Sequence, residues 1–227
     1  MTPQEKFEKF VKAYLPYAQQ AEKVTGIPAL FILSQCALET GYDSEKPGNM
    51  MFGVKANKYW TGKKQLLKTT EAYFQKDSVY KYYPSSQIVS YQGFKDGKHW
   101  WVVRDWFRAY DSPADSFTDY GKTMLNTPAF KAAVIAAHGD AVEMTKQIEK
   151  SGYATGSNYG AVILSIMNGL KAVYDKFKNE IKTDVAAASN TVKNNPVKTI
   201  AAFFLPQQLQ PMPSIVSDNL KINYFKH

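Results

Sequence analysis

The segment from Pro28 to Gly41 constrains the fold more than any other. Ala29, Leu30, Phe31, Ile32, Leu33, Cys36, Ala37 and Leu38 leave almost no polar face. The spacing predicts a helix opened by Pro28 and stopped by Gly41, apolar nearly all round. Such a helix is stable only when other elements surround it, so it is expected at the centre of the fold. Its one charge is Glu39, in the last turn. A carboxyl group there is desolvated and meets the negative end of the helix dipole, and both effects favour the protonated form.

Covering helices are legible on both sides. Thr2, Pro3 and Glu5 form a capping-box start, after which Phe7, Phe10, Val11 and Tyr14 share one helical face. Ser112 and Pro113 open another helix, with Phe117, Tyr120, Gly121 and Met124 on one side. A short helix is predicted over 128–137, one capped by Asp140 to about Lys150, and a long amphipathic one carrying Ile163, Ile166, Met167, Leu170, Val173, Tyr174 and Phe177. Between the two helical parts the character changes. Leu67 to Phe74, Ile88 to Tyr91 and Trp100 to Tyr110 are rich in Tyr, Trp, Val, Thr and Phe, with turn signals at Pro84 and Asp96-Gly97. That pattern predicts a small antiparallel sheet of hairpins. The fold class is therefore α+β, mainly helical. From about Lys182 the periodicity dissolves into alanine, serine, asparagine and lysine, then proline-punctuated sequence. Residues 1–181 are expected to form one domain and 182–227 a partly extended extension that docks on the body or a partner.

The 227 residues carry a formal net charge of +8, which favours anionic partners. The basic residues are scattered and form no dense block, so nothing supports a nucleic-acid partner. Cys36 is the single cysteine and excludes an internal disulfide. His99, His138 and His227 show no metal-ligand spacing, and no phosphate-binding glycine loop is present, so neither a metal nor a cofactor is expected. The N-terminus lacks an apolar signal-peptide core and no run is long enough to span a membrane. The expectation is a chain made in the cytoplasm and carried to its place of action by some other device.

A glutamic acid that keeps its proton near neutral pH is what glycoside cleavage requires of a general acid. The motifs Ala37-Leu38-Glu39-Thr40-Gly41, Asn49-Met50-Met51-Phe52-Gly53-Val54-Lys55, Thr69-Thr70-Glu71, Phe107-Arg108-Ala109-Tyr110-Asp111-Ser112 and Gly152-Tyr153-Ala154-Thr155 occur in that order. In this the chain resembles the glucosaminidase family of peptidoglycan hydrolases, which includes flagellar rod-cap hydrolases, autolysins and phage lysins. The resemblance spans roughly Met1 to Lys178. It implies a lysozyme-like helical fold with a small β-lobe walling a groove. It also implies endo-acting cleavage after N-acetylglucosamine in bacterial cell-wall glycan.

Carried over position by position, Glu39 matches the catalytic glutamate. Glu71 matches a second acid on the β-lobe, which would position or activate water. Asn49, Met51, Phe52 and Gly53 match the loop that shapes the groove floor beneath the N-acetyl group, although Phe52 reads equally well as core. Tyr153 matches a tyrosine that would orient the acetamido group or a water. Relatives often carry an aspartate after the Ala-Thr that follows it, whereas this chain has Gly156-Ser157-Asn158. Arg108 and Tyr110 read as a structural hinge, with Asp105 or Asp111 as the arginine's partner. Trp60 and Trp106 are the candidates for stacking on sugar rings. Of the adjacent pair Trp100 and Trp101, one must face away from the other.

Two rival functions stand beside this one: a muramidase or lytic transglycosylase on the same fold, and a non-catalytic wall-binding module. A phage particle or a contractile secretion machine would deliver such a protein to the periplasm or the cell exterior. In the second case an immunity protein that plugs the groove is expected.

Overall fold

The computed structural model describes residues 2–43, 45–151 and 158–194, the last thirteen of these as backbone. Seven helices and a three-stranded sheet are present among them: α1 Pro3–Thr25, α2 Ala29–Thr40, β1 Lys64–Tyr73, α3 Val79–Tyr82, β2 Ile88–Lys95, β3 Lys98–Arg108, α4 Pro113–Leu125, α5 Pro128–Ala137, α6 Ala141–Lys150 and α7 Tyr159–Asn194.

The predicted helix starts are built as their side chains dictate. Thr2 accepts from the Glu5 amide while Glu5 accepts from the Thr2 amide, and Ser112 and Asp115 repeat the arrangement at α4. Asp140 caps α6 by accepting from the Glu143 amide. The apolar helix α2 packs against α1, α6 and α7, and every residue from Ala29 to Ala37 is buried. Gly41 ends it in the left-handed conformation at φ 63°, donating its amide to the Ala37 carbonyl. The buried Gln35 amide donates across this core to the Tyr159 hydroxyl of α7.

The strands follow in the order β1-β3-β2, all antiparallel. β2 and β3 are joined at the expected Asp96-Gly97 turn, where both residues have positive φ. β1 and β3 pair without interruption from Lys64↔Arg108 to Tyr73↔His99. The lobe has its own small core of Val79, Tyr83, Trp101 and Val103, distinct from the main helical core. Beyond the start of β2 at Ile88, residues 54–56 continue its place along β3. Arg108 donates its amide to the Val54 carbonyl, Ala56 donates to Trp106, and Lys55 bridges Phe107. The loop after α2 is thereby tied directly to the sheet.

Helix α7 runs through Asn194 and crosses the boundary expected near residue 181. The alanines at 186–188 are strong helix formers, so the run stays helical after its amphipathic periodicity has faded. Residues 195–227 lie outside the described residues.

Candidate active site

Glu39 occupies the last turn of α2 and retains partial exposure. Among the described residues it makes no hydrogen bond or ion pair. Burial alone pushes its carboxyl from 4.5 up to about 8. Gly53 lies against it: with φ +61°, a Cβ at this position would sit 3.8 Å from Glu39 Oε2. The loop backbone therefore passes beside the carboxyl in a conformation that favours glycine.

The residues flanking Gly53 hold that backbone in place. Met51 and Phe52 are each 1% exposed and belong to the main core. The Phe52 ring stacks on Tyr120 at 4.0 Å and 12° and meets Phe117 edge-on. Met51 donates its amide to the Ser116 hydroxyl. Of the two readings open for Phe52, the structure places its side chain in the core, so this loop offers its backbone and Gly53 to the site. Asn49, at φ 52°, donates from Nδ2 to the carbonyls of Tyr110 (3.0 Å) and Asp111 (3.1 Å) and so staples the loop to the end of the lobe.

Two residues past Gly53, Lys55 reaches the sheet. Its ammonium lies 3.0 Å from Glu71 Oε1 and 2.9 Å from Asp105 Oδ2, and it donates to the Tyr83 hydroxyl at 3.3 Å. Tyr83 in turn donates to Asp105 Oδ2 at 2.7 Å. All three charged side chains are at most 19% exposed. Burial works against the lysine's charge, but the Glu71 and Asp105 carboxylates outweigh it and raise its pKa above the ordinary value. The same burial and the same two carboxylates push the Tyr83 phenol well up. Glu71 and Asp105 share a sheet face because their register partners, Trp101 and Leu67, fall on alternate positions of neighbouring strands. Glu71, Lys55, Tyr73, Tyr82 and Tyr83 line a cavity of about 430 Å³.

The remaining candidates are dispersed. Trp106 pairs with Leu66, one step out of phase with Glu71, and so lies on the opposite sheet face. Its ring carries the Lys64 ammonium 4.6 Å above it. Trp60 is held between the Arg108 guanidinium, 4.4 Å from the ring, and Tyr110, with its indole N–H donating to the Lys63 carbonyl. Trp101 is buried in the lobe core, while Trp100 occupies the other face and donates to the Lys95 carbonyl. Arg108 does not pair with Asp105 or Asp111. It binds Asp119 of α4 at 2.7 Å, and Tyr110 donates to the same oxygen. Asp105 is already taken by Lys55 and Asp111 by Lys63, while the second turn of α4 brings Asp119 against the guanidinium. Tyr153 lies outside the described residues. No group of three or more His, Cys, Asp or Glu side chains arranged for a metal ion occurs among the described residues.

The order of these parts along the chain, and their assembly here, coincide with one family. The glucosaminidase family model, described as mannosyl-glycoprotein endo-beta-N-acetylglucosaminidase, matches residues 15–172. The chain belongs to the glucosaminidase family. Among relatives, the peptidoglycan hydrolase FlgJ of Vibrio parahaemolyticus is 27% identical over 172 residues, covering 73% of this chain and 48% of that protein. This glucosaminidase chain thus spans about half the length of that relative. The glycoside hydrolase domain of Salmonella typhimurium FlgJ shares the fold with a TM-score of 0.55 at 23% identity, covering 82% of this chain and 99% of that one. A peptidoglycan hydrolase mutant from Sphingomonas sp. A1 superposes with a TM-score of 0.52 at 27% identity, covering 76% and 99%. The family match ends at residue 172, so residues 173–194 of α7 lie beyond it.

The sequence pointed to neither Tyr83 nor Asp119, and it brought in Lys55 only within the loop motif and Asp105 only as a partner for Arg108. A signal for Lys55 was present: it is the only charge in 50–55, a segment that otherwise enters the core. Nothing in the linear order could have paired it with Glu71 and Asp105 at once.

Proposed function

We propose that this chain hydrolyses bacterial peptidoglycan as an endo-β-N-acetylglucosaminidase, with Glu39 as the general acid and Glu71 as the second carboxylate. The observation that carries the reading is the contrast between the two glutamates. Glu39 has a desolvated carboxyl pushed up to about 8, beside a loop backbone, whereas Glu71 is in an ion pair with Lys55. Two carboxyl groups in such different environments divide into a proton donor and a charged partner, which is the division that glycoside hydrolysis uses. Glu39 gives its proton to the departing sugar oxygen as the bond to the anomeric carbon breaks. Water adds to that carbon, and its proton passes to Glu71. The names of the FlgJ and Sphingomonas relatives as peptidoglycan hydrolases support the substrate.

The test is digestion of purified cell wall followed by analysis of the new reducing ends. N-acetylglucosamine ends are expected, and Glu39→Gln should abolish their release while the protein stays folded. Muramic acid ends would reassign the enzyme to the muramidases, and anhydro-muramic ends to the lytic transglycosylases. Binding to the wall with no released sugar would leave only a wall-binding module.

A further inference from the structure

Lys55 stands where the loop beside Glu39 meets the strand that carries Glu71. Two backbone hydrogen bonds, between Val54 and Arg108 and between Ala56 and Trp106, clamp the lysine's own main chain to β3. Its ammonium then has a second anchor that does not involve Glu71: Asp105 Oδ2 at 2.9 Å, itself held by the Tyr83 hydroxyl. A lysine fixed at both ends in this way is a rigid positive point against which a neighbouring carboxylate is oriented. Glu71 is the neighbour, contacted through Oε1, on the wall of the cavity that Tyr73 and Tyr82 also line.

We propose that Lys55 is the positioning residue of the second carboxylate: anchored by Asp105 and Tyr83, it sets the orientation of Glu71 and ties it to the loop that passes Glu39. This inference rests on the assignment of Glu71 given above. Lys55 touches no reacting atom in this scheme and acts through Glu71 alone. Loss of this contact shifts the carboxylate from the position the lysine sets, and small misplacements of a reacting group cost large factors in rate. The loss should therefore appear in turnover and not in substrate affinity.

A double-mutant cycle between Lys55→Gln and Glu71→Gln, in the full chain with solubilised cell-wall substrate, separates this role from a purely structural one. Alone, Lys55→Gln is expected to lower kcat by about 10- to 100-fold with KM changed by less than about threefold. In the Glu71→Gln background the same substitution should cost less than about twofold, because the group it acts through is gone. Lys55→Arg, which keeps the cation, should recover most of the lost turnover. Asp105→Asn removes the second anchor and leaves the lysine in place, so it carries the same cycle should Lys55→Gln fail to fold. Equal losses in both backgrounds, or a loss confined to KM, would overturn the inference. Full activity of Glu71→Gln would overturn it too. If Glu39→Gln remained lytic, the reading of the whole site would fall. If Glu39→Gln is inactive and the cycle is additive, only the role of Lys55 falls.

Discussion

The desolvated carboxyl of Glu39 makes the stability of this protein depend on pH in a calculable way. In the unfolded chain the group titrates near 4.5, and in the folded protein near about 8. Between those values the folded state holds a proton that the unfolded state has lost, so unfolding releases a proton and stability falls as pH rises. The stabilisation is complete below 4.5 and is lost as pH passes through about 8. Each pH unit across that window is worth ~1.4 kcal/mol, which places the ceiling at roughly 5 kcal/mol by about pH 9 and roughly 3 kcal/mol at neutrality. Glu39→Gln keeps the shape of the side chain and removes the titration. The variant should match the wild type near pH 4.5 and become progressively more stable than it toward pH 9. Urea unfolding of both proteins at several pH values measures the difference directly. Parallel curves across the range would refute the reasoning, because they would mean that water reaches the carboxyl as freely in the folded protein as in the unfolded one.

Further outcomes follow from the same contacts. Hydrolysis should fall along an alkaline limb centred near pH 8, where Glu39 loses its proton, and a rate still flat at about pH 10 would rule out Glu39 as the acid. Phe52→Ala empties a fully buried site between Tyr120 and Phe117 and should cost ~3–5 kcal/mol in chemical denaturation. It should also lower activity by loosening the backbone at Gly53. Arg108→Met strips Asp119 of its cation and leaves the Tyr110 hydroxyl donating to that oxygen. With both side chains mostly buried, the loss should be roughly 2–3 kcal/mol in the same assay, and no loss would mean that the pair is solvent-screened.

Much of the fold was legible because its signals are local. The capping boxes at Thr2 and Ser112, the Asp140 cap and the Gly41 stop each involve residues within a single turn, so linear order states them fully. The aromatic and β-branched runs announced three strands, and the Asp96-Gly97 turn announced which two are adjacent in sequence. The order β1-β3-β2 was not legible, since pairing partners are chosen by shape and burial across the lobe. The alternation of β3 predicted that Trp100 and Trp101 part company; only the register showed that Trp106 goes with the face away from Glu71.

The sequence by itself determined that one carboxyl would end a helix with no polar face, because an apolar helix has nowhere to go but the interior and takes its last charge part of the way with it. Tertiary structure decided what surrounds the second carboxyl. Lys55, Glu71, Tyr83 and Asp105 lie far apart along the chain and carry no shared period. Their meeting follows from the sheet register and from the short stretch at 54–56 that runs on past β2. Charge pairing acts through space over a few ångströms, and no pattern along the chain encodes which distant residues will come that close.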